Sequence, residues 1–563
     1  MFKKVILPVA ALGVLAMTSC SGKLGALSAD NFNAVPNPME TQGGYVPVTI
    51  NGQFPEKYMN KKAVVTVIPE LHAADGSILR GAPTTFQGEK VMGNDNMVSY
   101  LLGSRYTMKA DFPYTDTYHK SDLYLAFDAK IGNKVVNVPS VKIANGIIAT
   151  SELYRMAMTE KGGCIAADTF QRVRKERQVA NVKFLINQAQ LRKSEMKNNS
   201  VQEFLKMLNT INNEREAYNL NGVEVKAYAS PDGGMNVNTN LASKRQNVSE
   251  QYVKDQLKKM KVDTSVGGNY TAEDWEGFQQ LVAASNIQDK DVILRVLSMY
   301  QDPEEREQQI RNMSSGFREL ADGILPELRR SRLIINYESV GRSDEQIQQQ
   351  YKDDATKLSN DELLYAATLD GVTTDQAEDI YKKTIATYPN DYRAYNNVAV
   401  EELKKGNTKT AQEYIDKALA VNANAAEPKA NLALMALKGG NLTKAQEYIS
   451  QAADANDYNY ALGTYNIAKG NYQEALENLK GQNNNMSALA QILNKDYQGA
   501  RATFKQIGKN GDGMTDYLHA IMCARQNNAY AANTYLKDAA AKTSSLAAYA
   551  NDDLEFKSVK EAE

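Results

Sequence analysis

Thiols and imidazoles are scarce in this chain, which carries three cysteines and three histidines in 563 residues. Cys164 and Cys523 lie far apart in what read as different domains, so with Cys20 they make no disulfide framework. His72, His119 and His519 show no close Cys/His spacing, which leaves no zinc signature and assigns them to surface or packing. Neither sign of charge dominates: 65 basic against 67 acidic residues give a net charge of −2, without the strongly basic balance of a nucleic-acid binder. After the leader there is no run of about twenty apolar residues, the length a membrane-spanning helix needs. The sequence also lacks G-x-S-x-G, a phosphate loop and H-E-x-x-H. The expectation is a protein that is not an enzyme and holds no cofactor or metal.

What is present begins with an address. Lys3 and Lys4 precede the apolar stretch Val5 to Ala16, and Met17-Thr18-Ser19-Cys20 follows. This reads as a signal peptide over residues 1–19, removed on export. The cysteine at its end resembles the lipobox of bacterial lipoproteins, which implies acylation of Cys20 and an outer-membrane lipid anchor. Several acyl chains at about 0.8 kcal/mol per buried methylene hold a protein on a membrane. The flank Ser21-Gly22-Lys23-Leu24 lacks the acidic pair that resembles a surface-export signal of Bacteroidota, which favours the periplasmic side.

Composition then divides the rest. Residues 20–43 read as the lipidated cysteine and a flexible Ser/Gly/Asn/Pro linker. From 44 to 150, short β-branched runs such as Val46 to Ile50, Ala63 to Ile68 and Leu123 to Phe127 alternate with turn residues, which predicts an antiparallel β-sandwich. With Phe54-Pro55-Glu56-Lys57-Tyr58, it resembles the immunoglobulin-like modules of Bacteroidota envelope lipoproteins.

The period changes after that. Val179 to Ile186 reads as a strand, Ser200 to Ala217 as an amphipathic helix, Val223 to Tyr228 as a second strand and Leu241 to Leu257 as a second helix. In the loop between this second strand and helix, Gly233, Asn238, Leu241 and Arg245 fall in register with the peptidoglycan-binding loop of OmpA-like domains, which the segment resembles. The resemblance implies an α/β OmpA-like domain over 176–340, with residues 264–322 as a helical insertion before an Arg-rich final strand at Leu328 to Tyr337. It further implies that Ser230, Asp232, Asn238, Leu241 and Arg245 form a site for the wall peptide. The family's acid is missing at the first position, where Ser230 stands, with Asp232 two residues on. Arg245 is left as the partner of a diaminopimelate carboxylate; a solvated helix residue is the other reading of it.

Residues 352–545 are helical in pattern and repeat. Gly406-Asn407 recurs as Gly440-Asn441, with Ala411 and Ala445 five beyond each glycine, a spacing of 34 residues. With Ala377, Tyr381 and Pro389 at the matching positions upstream, the stretch resembles the tetratricopeptide family, which implies an all-α solenoid with a concave groove for a protein or peptide partner. Asn396, Asn397, Lys429 and Asn431 are candidate groove residues; solvent-facing polar positions are the alternative. Because repeats contact mainly their neighbours, the array is expected to be separable from the domains before it.

The functional expectation is a non-catalytic envelope lipoprotein that tethers outer membrane to peptidoglycan and scaffolds protein partners through its repeats. The rival is a surface-exposed accessory lipoprotein of a transport or secretion complex, its wall-binding domain vestigial.

Overall fold

In the computed structural model, residues 24–287, 289–312 and 318–561 are described. Cys20 and the leader lie outside them. The chain divides into two compact units, one comprising the residues up to Asp168 together with those from Ser359, the other Thr169–Leu358.

The first unit begins with a β-rich domain. Its strands are β1 (Phe32–Val35), β2 (Met39–Glu40), β3 (Tyr45–Phe54), β4 (Ala63–His72), β5 (Ile78–Arg80), β6 (Thr84–Gly88), β7 (Asn96–Val98), β8 (Ser104–Pro113), β9 (Asp122–Ile131), β10 (Lys134–Asn145) and β11 (Ile147–Ile148). One sheet has the order β1-β3-β8, the other β10-β9-β4-β6-β7 with β5 on β4, and β2 pairs with β11. The period of two along a strand turns Val46, Val48, Ile50 and Phe54 of β3 inward. They share a single core with Val65, Val67, Leu123, Leu125 and Phe127 of the facing sheet.

The expected linker is a correction. Leu24 and Leu27 are buried in this core, and β1 and β2 both lie within residues 20–43. A Ser/Gly/Asn/Pro composition conceals Leu24, Leu27, Phe32 and Met39, whose burial contributes about 1.5–3 kcal/mol each for the large side chains.

The C-terminal part of the unit is all helical. Six successive helix pairs among the described residues run from Asn360–Ala366 with Thr374–Thr387 to Gly513–Arg525 with Ala529–Lys542. Ala411, Ala445, Ala475, Ala500 and Ala532 are fully buried and let the two helices of a pair approach closely. Gly406 and Gly440 end their first helices at φ +81° and +74°, in the left-handed region that favours glycine. The helices continue past residue 545: Ser545–Asp552 and Lys557–Glu561 place Leu546, Phe556 and Val559 in the core.

The array does not stand apart from the β-rich domain, contrary to expectation. Thr150 Oγ1 donates to Glu555 Oε1 at 2.5 Å, and the same carboxylate holds Arg525. Lys120 pairs with Asp552 at 2.8 Å, and a Cβ at Gly146 would lie 2.3 Å from Leu554. Residues 151–168, assigned to no domain by sequence, contribute Leu153, Tyr154, Met158 and Cys164 to the hydrophobic core of the repeats.

The second unit is an α/β domain built on β12 (Val173–Lys183), β13 (Tyr218–Tyr228), β14 (Val266–Thr271) and β15 (Arg330–Val340), in the order β12-β15-β13-β14. β15 runs antiparallel to both its neighbours and β14 parallel to β13. Helices Asn199–Asn213 and Met235–Met260 cover the sheet through Val201, Phe204, Leu208, Val253 and Leu257. The helical insertion therefore starts later than expected, because residues 266–271 are a sheet strand whose Gly267-Gly268 obscures its pattern. Its helices Trp275–Ala284, Lys290–Met299 and Pro303–Arg311, with the turns at Leu320–Leu328, enclose a second core around Phe278, Ile293, Leu320 and Leu325. Helix Asp344–Asp354 belongs to this unit, so the repeats begin at 359 and not 352.

Candidate functional site: an amide clamp and an arginine-lined loop

The first helices of two successive repeats, Tyr392–Lys404 and Ala426–Lys438, carry Asn396, Asn397 and Asn431 on one face. Asn396 and Asn431 stand 35 residues apart, one repeat and one position, so their amides meet, with Asn431 Nδ2 donating to Asn396 Oδ1 at 2.9 Å. All three are buried. A buried amide must find partners, and these find the backbone of the chain's own residues 164–166. Asn431 Oδ1 accepts from Cys164 N at 2.6 Å, while its Nδ2 donates to Cys164 O at 3.0 Å. Asn396 Nδ2 donates to the same carbonyl at 3.0 Å. Asn397 accepts from Ala166 N at 2.8 Å and donates to Ala166 O at 3.0 Å. Lys429 is half-buried and takes no part in the clamp.

The surroundings fix the segment's direction. Asn456 Nδ2 donates to Ile165 O at 3.2 Å, and Lys161 pairs with Asp457 at 3.0 Å while lying over the Tyr460 ring. Arg393 donates to Ala167 O at 3.3 Å and to Asp361 at 2.8 Å, and its bonds to Asp391 raise its pKa above the usual arginine value. Gly162 and Gly163 are required by contact: a Cβ at the first would lie 2.7 Å from Val400 O, and at the second 2.4 Å from Asn431 Oδ1. Burial, with Asp457 nearby, pushes the Cys164 thiol up to about 12. The arrangement is a set of amide donors and acceptors matched to a peptide backbone. It recognises extended main chain, for which side-chain amides supply one donor and one acceptor per residue.

The second unit holds the loop singled out by sequence. The structure brings Ser230, Asp232 and Asn238 together: Ser230 Oγ donates to Asp232, and Asn238 Nδ2 donates to Ser230 O at 3.1 Å and Gly233 O at 2.6 Å, tying the loop to the helix it opens. Leu241 is half-buried on that helix. Arg245 is neither solvated nor turned to the loop mouth. It is fully buried, donating to Gln188 O at 3.0 Å, Tyr228 O at 2.9 Å and Leu185 O at 3.3 Å, with its guanidinium over the Phe184 ring. Burial, then the neighbouring Arg329, lowers its pKa to about 10.

The ionic partner of Asp232 is Arg329, at 3.0 Å, which also reaches Ser230 Oγ at 3.2 Å. Arg311 of the insertion donates to Asp232 O at 2.6 Å, and Pro231 and Asp232 line a cavity of about 10 Å³ with Trp275, Phe278 and Leu325. Arg330 next door pairs with buried Asp274 at 2.8 Å. The Arg-rich lead into the final strand was visible in sequence. Its pairing with the loop was not, because the partners lie 97 residues apart.

No family model and no curated protein matches the chain. Among solved structures it is similar to a tetratricopeptide repeat protein from Parabacteroides merdae, at 14% identity and a TM-score of 0.26 over 36% of this chain and 85% of that one. It is similar also to pilF of Pseudomonas aeruginosa, at 16% identity and a TM-score of 0.26 over 36% of this chain and 97% of that one. YrrB, described as a TPR protein with an unusual peptide-binding site, matches at 16% identity and a TM-score of 0.19 over 37% of this chain and 99% of it. At these scores the likenesses carry no argument; the repeat architecture rests on the helix pairs, their buried alanines and the 34-residue period.

Proposed function

We propose that the chain is a non-catalytic cell-envelope lipoprotein that acts as an interaction scaffold. A lipid on Cys20 holds it to the outer membrane, facing the periplasm, and the repeat array presents binding surfaces to a protein partner. The observation that carries this reading is the array itself, six successive helix pairs with buried alanines, whose amide clamp of Asn396, Asn397 and Asn431 already holds a stretch of main chain. Its occupant is the chain's own segment, so the clamp is an internal joint and recruitment falls to the remaining faces of the array.

Two readings of the middle domain, a working peptidoglycan tether and a vestigial one within a transport or secretion accessory, part at the loop. The vestigial reading is supported by Arg245, whose donors go to three backbone carbonyls, and by Asp232, whose charge is answered by Arg329. Two measurements test the proposal. Wild-type protein should stay in the supernatant when purified peptidoglycan is pelleted; co-sedimentation that is lost in Asp232→Ala would reinstate the tether. In cells fed a radiolabelled fatty acid, the wild-type protein should carry the label and Cys20→Ser should not; an unlabelled wild type would remove the lipid anchor from the account.

A further inference from the structure

The β-rich domain has two unlike ends. At one, Gly146, Lys120 and Thr150 pack on the C-terminal helices. The other is built from three loops, residues 55–62, 89–102 and the β9–β10 hairpin. They are tied together by Lys57 N donating to Tyr100 O at 2.6 Å, Lys90 N to Lys61 O at 2.7 Å and Gly132 N to Lys62 O at 3.0 Å. This end carries large apolar side chains in solvent: Met92 is 101% exposed, Leu102 80% and Leu101 62%, with Val135 of the hairpin at 81%. Exposed apolar groups clustered on a hydrogen-bonded frame mark an interaction surface. Lys57, Lys61, Lys62, Lys90 and Lys134 are exposed around them. Of the carboxylates in these loops, Glu89 is engaged by Ser99 Oγ and by Lys61, leaving Glu56 and Asp95.

The described chain also enters here. Tyr58 Oη donates to Gly25 O at 3.1 Å, pinning the first described residues to the 55–62 loop. Cys20 precedes Leu24 by four residues, a reach of at most about 14 Å. A lipid on Cys20 therefore brings this end, and not the end packed on the repeats, to the bilayer.

From these observations we infer that the loops around Met92, Leu101 and Leu102 form a membrane-resting face, its apolar tips entering the interface and its lysines meeting anionic phospholipid headgroups. The geometry follows the logic of interfacial anchors, in which buried apolar area and electrostatic attraction add. The lipid-anchor reading enters only as the reason the face is turned toward the membrane.

The test uses the full mature chain from residue 20 with Cys20→Ser, so that no lipid contributes, and measures co-sedimentation with phosphatidylethanolamine vesicles with and without phosphatidylglycerol. The protein should bind, more tightly with phosphatidylglycerol. The combined Met92→Asp, Leu101→Asp, Leu102→Asp variant should weaken binding at least about tenfold. Lys57→Glu, Lys62→Glu and Lys90→Glu together should abolish the preference for anionic lipid, at about fivefold for each lysine. Ile78→Asp, in the β4–β5 hairpin at the opposite end, should change nothing. The substituted side chains are exposed, so melting temperatures should match wild type. Absence of vesicle binding, or binding that survives both variants, overturns the inference. Either result leaves the lipid anchor untouched, since that is decided by fatty-acid labelling at Cys20.

Discussion

Replacing Asn431 by alanine probes the clamp most directly. The change removes the acceptor for Cys164 N, one of two donors to Cys164 O and the donor to Asn396 Oδ1. The Cys164 carbonyl keeps Asn396, but its amide is left in a fully buried position without an acceptor. A buried orphan costs about 1–3 kcal/mol, and the stranded Asn396 oxygen adds about 1 kcal/mol more, for a total of about 3 kcal/mol. Applied to local release of residues 159–168, that is about a hundredfold rise in the open population. Cys164 reports it. Its thiol is pushed up to about 12 by burial when the segment is seated, against about 8.5 for a free cysteine, so modification at mildly alkaline pH proceeds from the open form. Cys523, buried in the sixth helix pair, is the internal reference. Quantified by peptide mass spectrometry, Cys164 labelling should accelerate about a hundredfold while Cys523 labelling does not change. Asn431→Asp, which sets a buried carboxylate against the oxygens of Cys164 and Asn396, should release the segment at least as far. Equal acceleration of both thiols would mean that the array as a whole loosens, and no acceleration that the amides do not hold the segment; either refutes the clamp.

Two further outcomes follow from buried groups. Arg245→Ala strands three carbonyls, costing about 3–5 kcal/mol, so calorimetry should show the transition of the second unit lowered by about 10 °C, and Arg245→Lys should recover little because one ammonium cannot serve three acceptors; unchanged melting would refute a structural role. His519 lies stacked between Phe504 and Tyr535, and burial, then Arg501, lowers its pKa to about 4 from 6.5. The folded state thus keeps it neutral where the unfolded state takes up a proton, so its contribution is complete above pH about 6.5 and is lost as pH falls toward about 4. Urea titrations across that window should show stability declining with acid in wild type and a flatter profile in His519→Gln.

The regular repeats were legible because their turns spell themselves out. Gly406-Asn407 and Gly440-Asn441 supply a left-handed residue and then the start of the next helix. Later pairs keep the same turn with other residues, Lys495 before Asp496 and Asn527 before Asn528, at φ +61° and +59°. Geometry persisted there while the sequence signal faded. The asparagines of the groove were visible as candidates, but not their ligand, since Gly162-Gly163-Cys164-Ile165-Ala166-Ala167 has no periodicity and acquires meaning only opposite Asn431, 267 residues later. The strand at 266–271 was hidden by its glycines, and the entry strand β1 by a composition that reads as linker. In the wall loop, spacing correctly brought Ser230, Asp232 and Asn238 together, yet spacing on a helix does not tell whether an arginine such as Arg245 faces in or out when carbonyls on both neighbouring elements compete for it.

Because the clamp lies 267 residues downstream of what it clamps, the order in which the chain emerges matters. On a chain exported amino terminus first, the 151–168 stretch arrives before the intervening Thr169–Leu358 and stays uncovered until Asn431 follows. The first unit thus closes last, after the chain of the second has passed. A chain stopped short of the repeats has nowhere to put Leu153, Tyr154 and Met158, and so displays its own incompleteness to any chaperone or protease that reads exposed apolar surface.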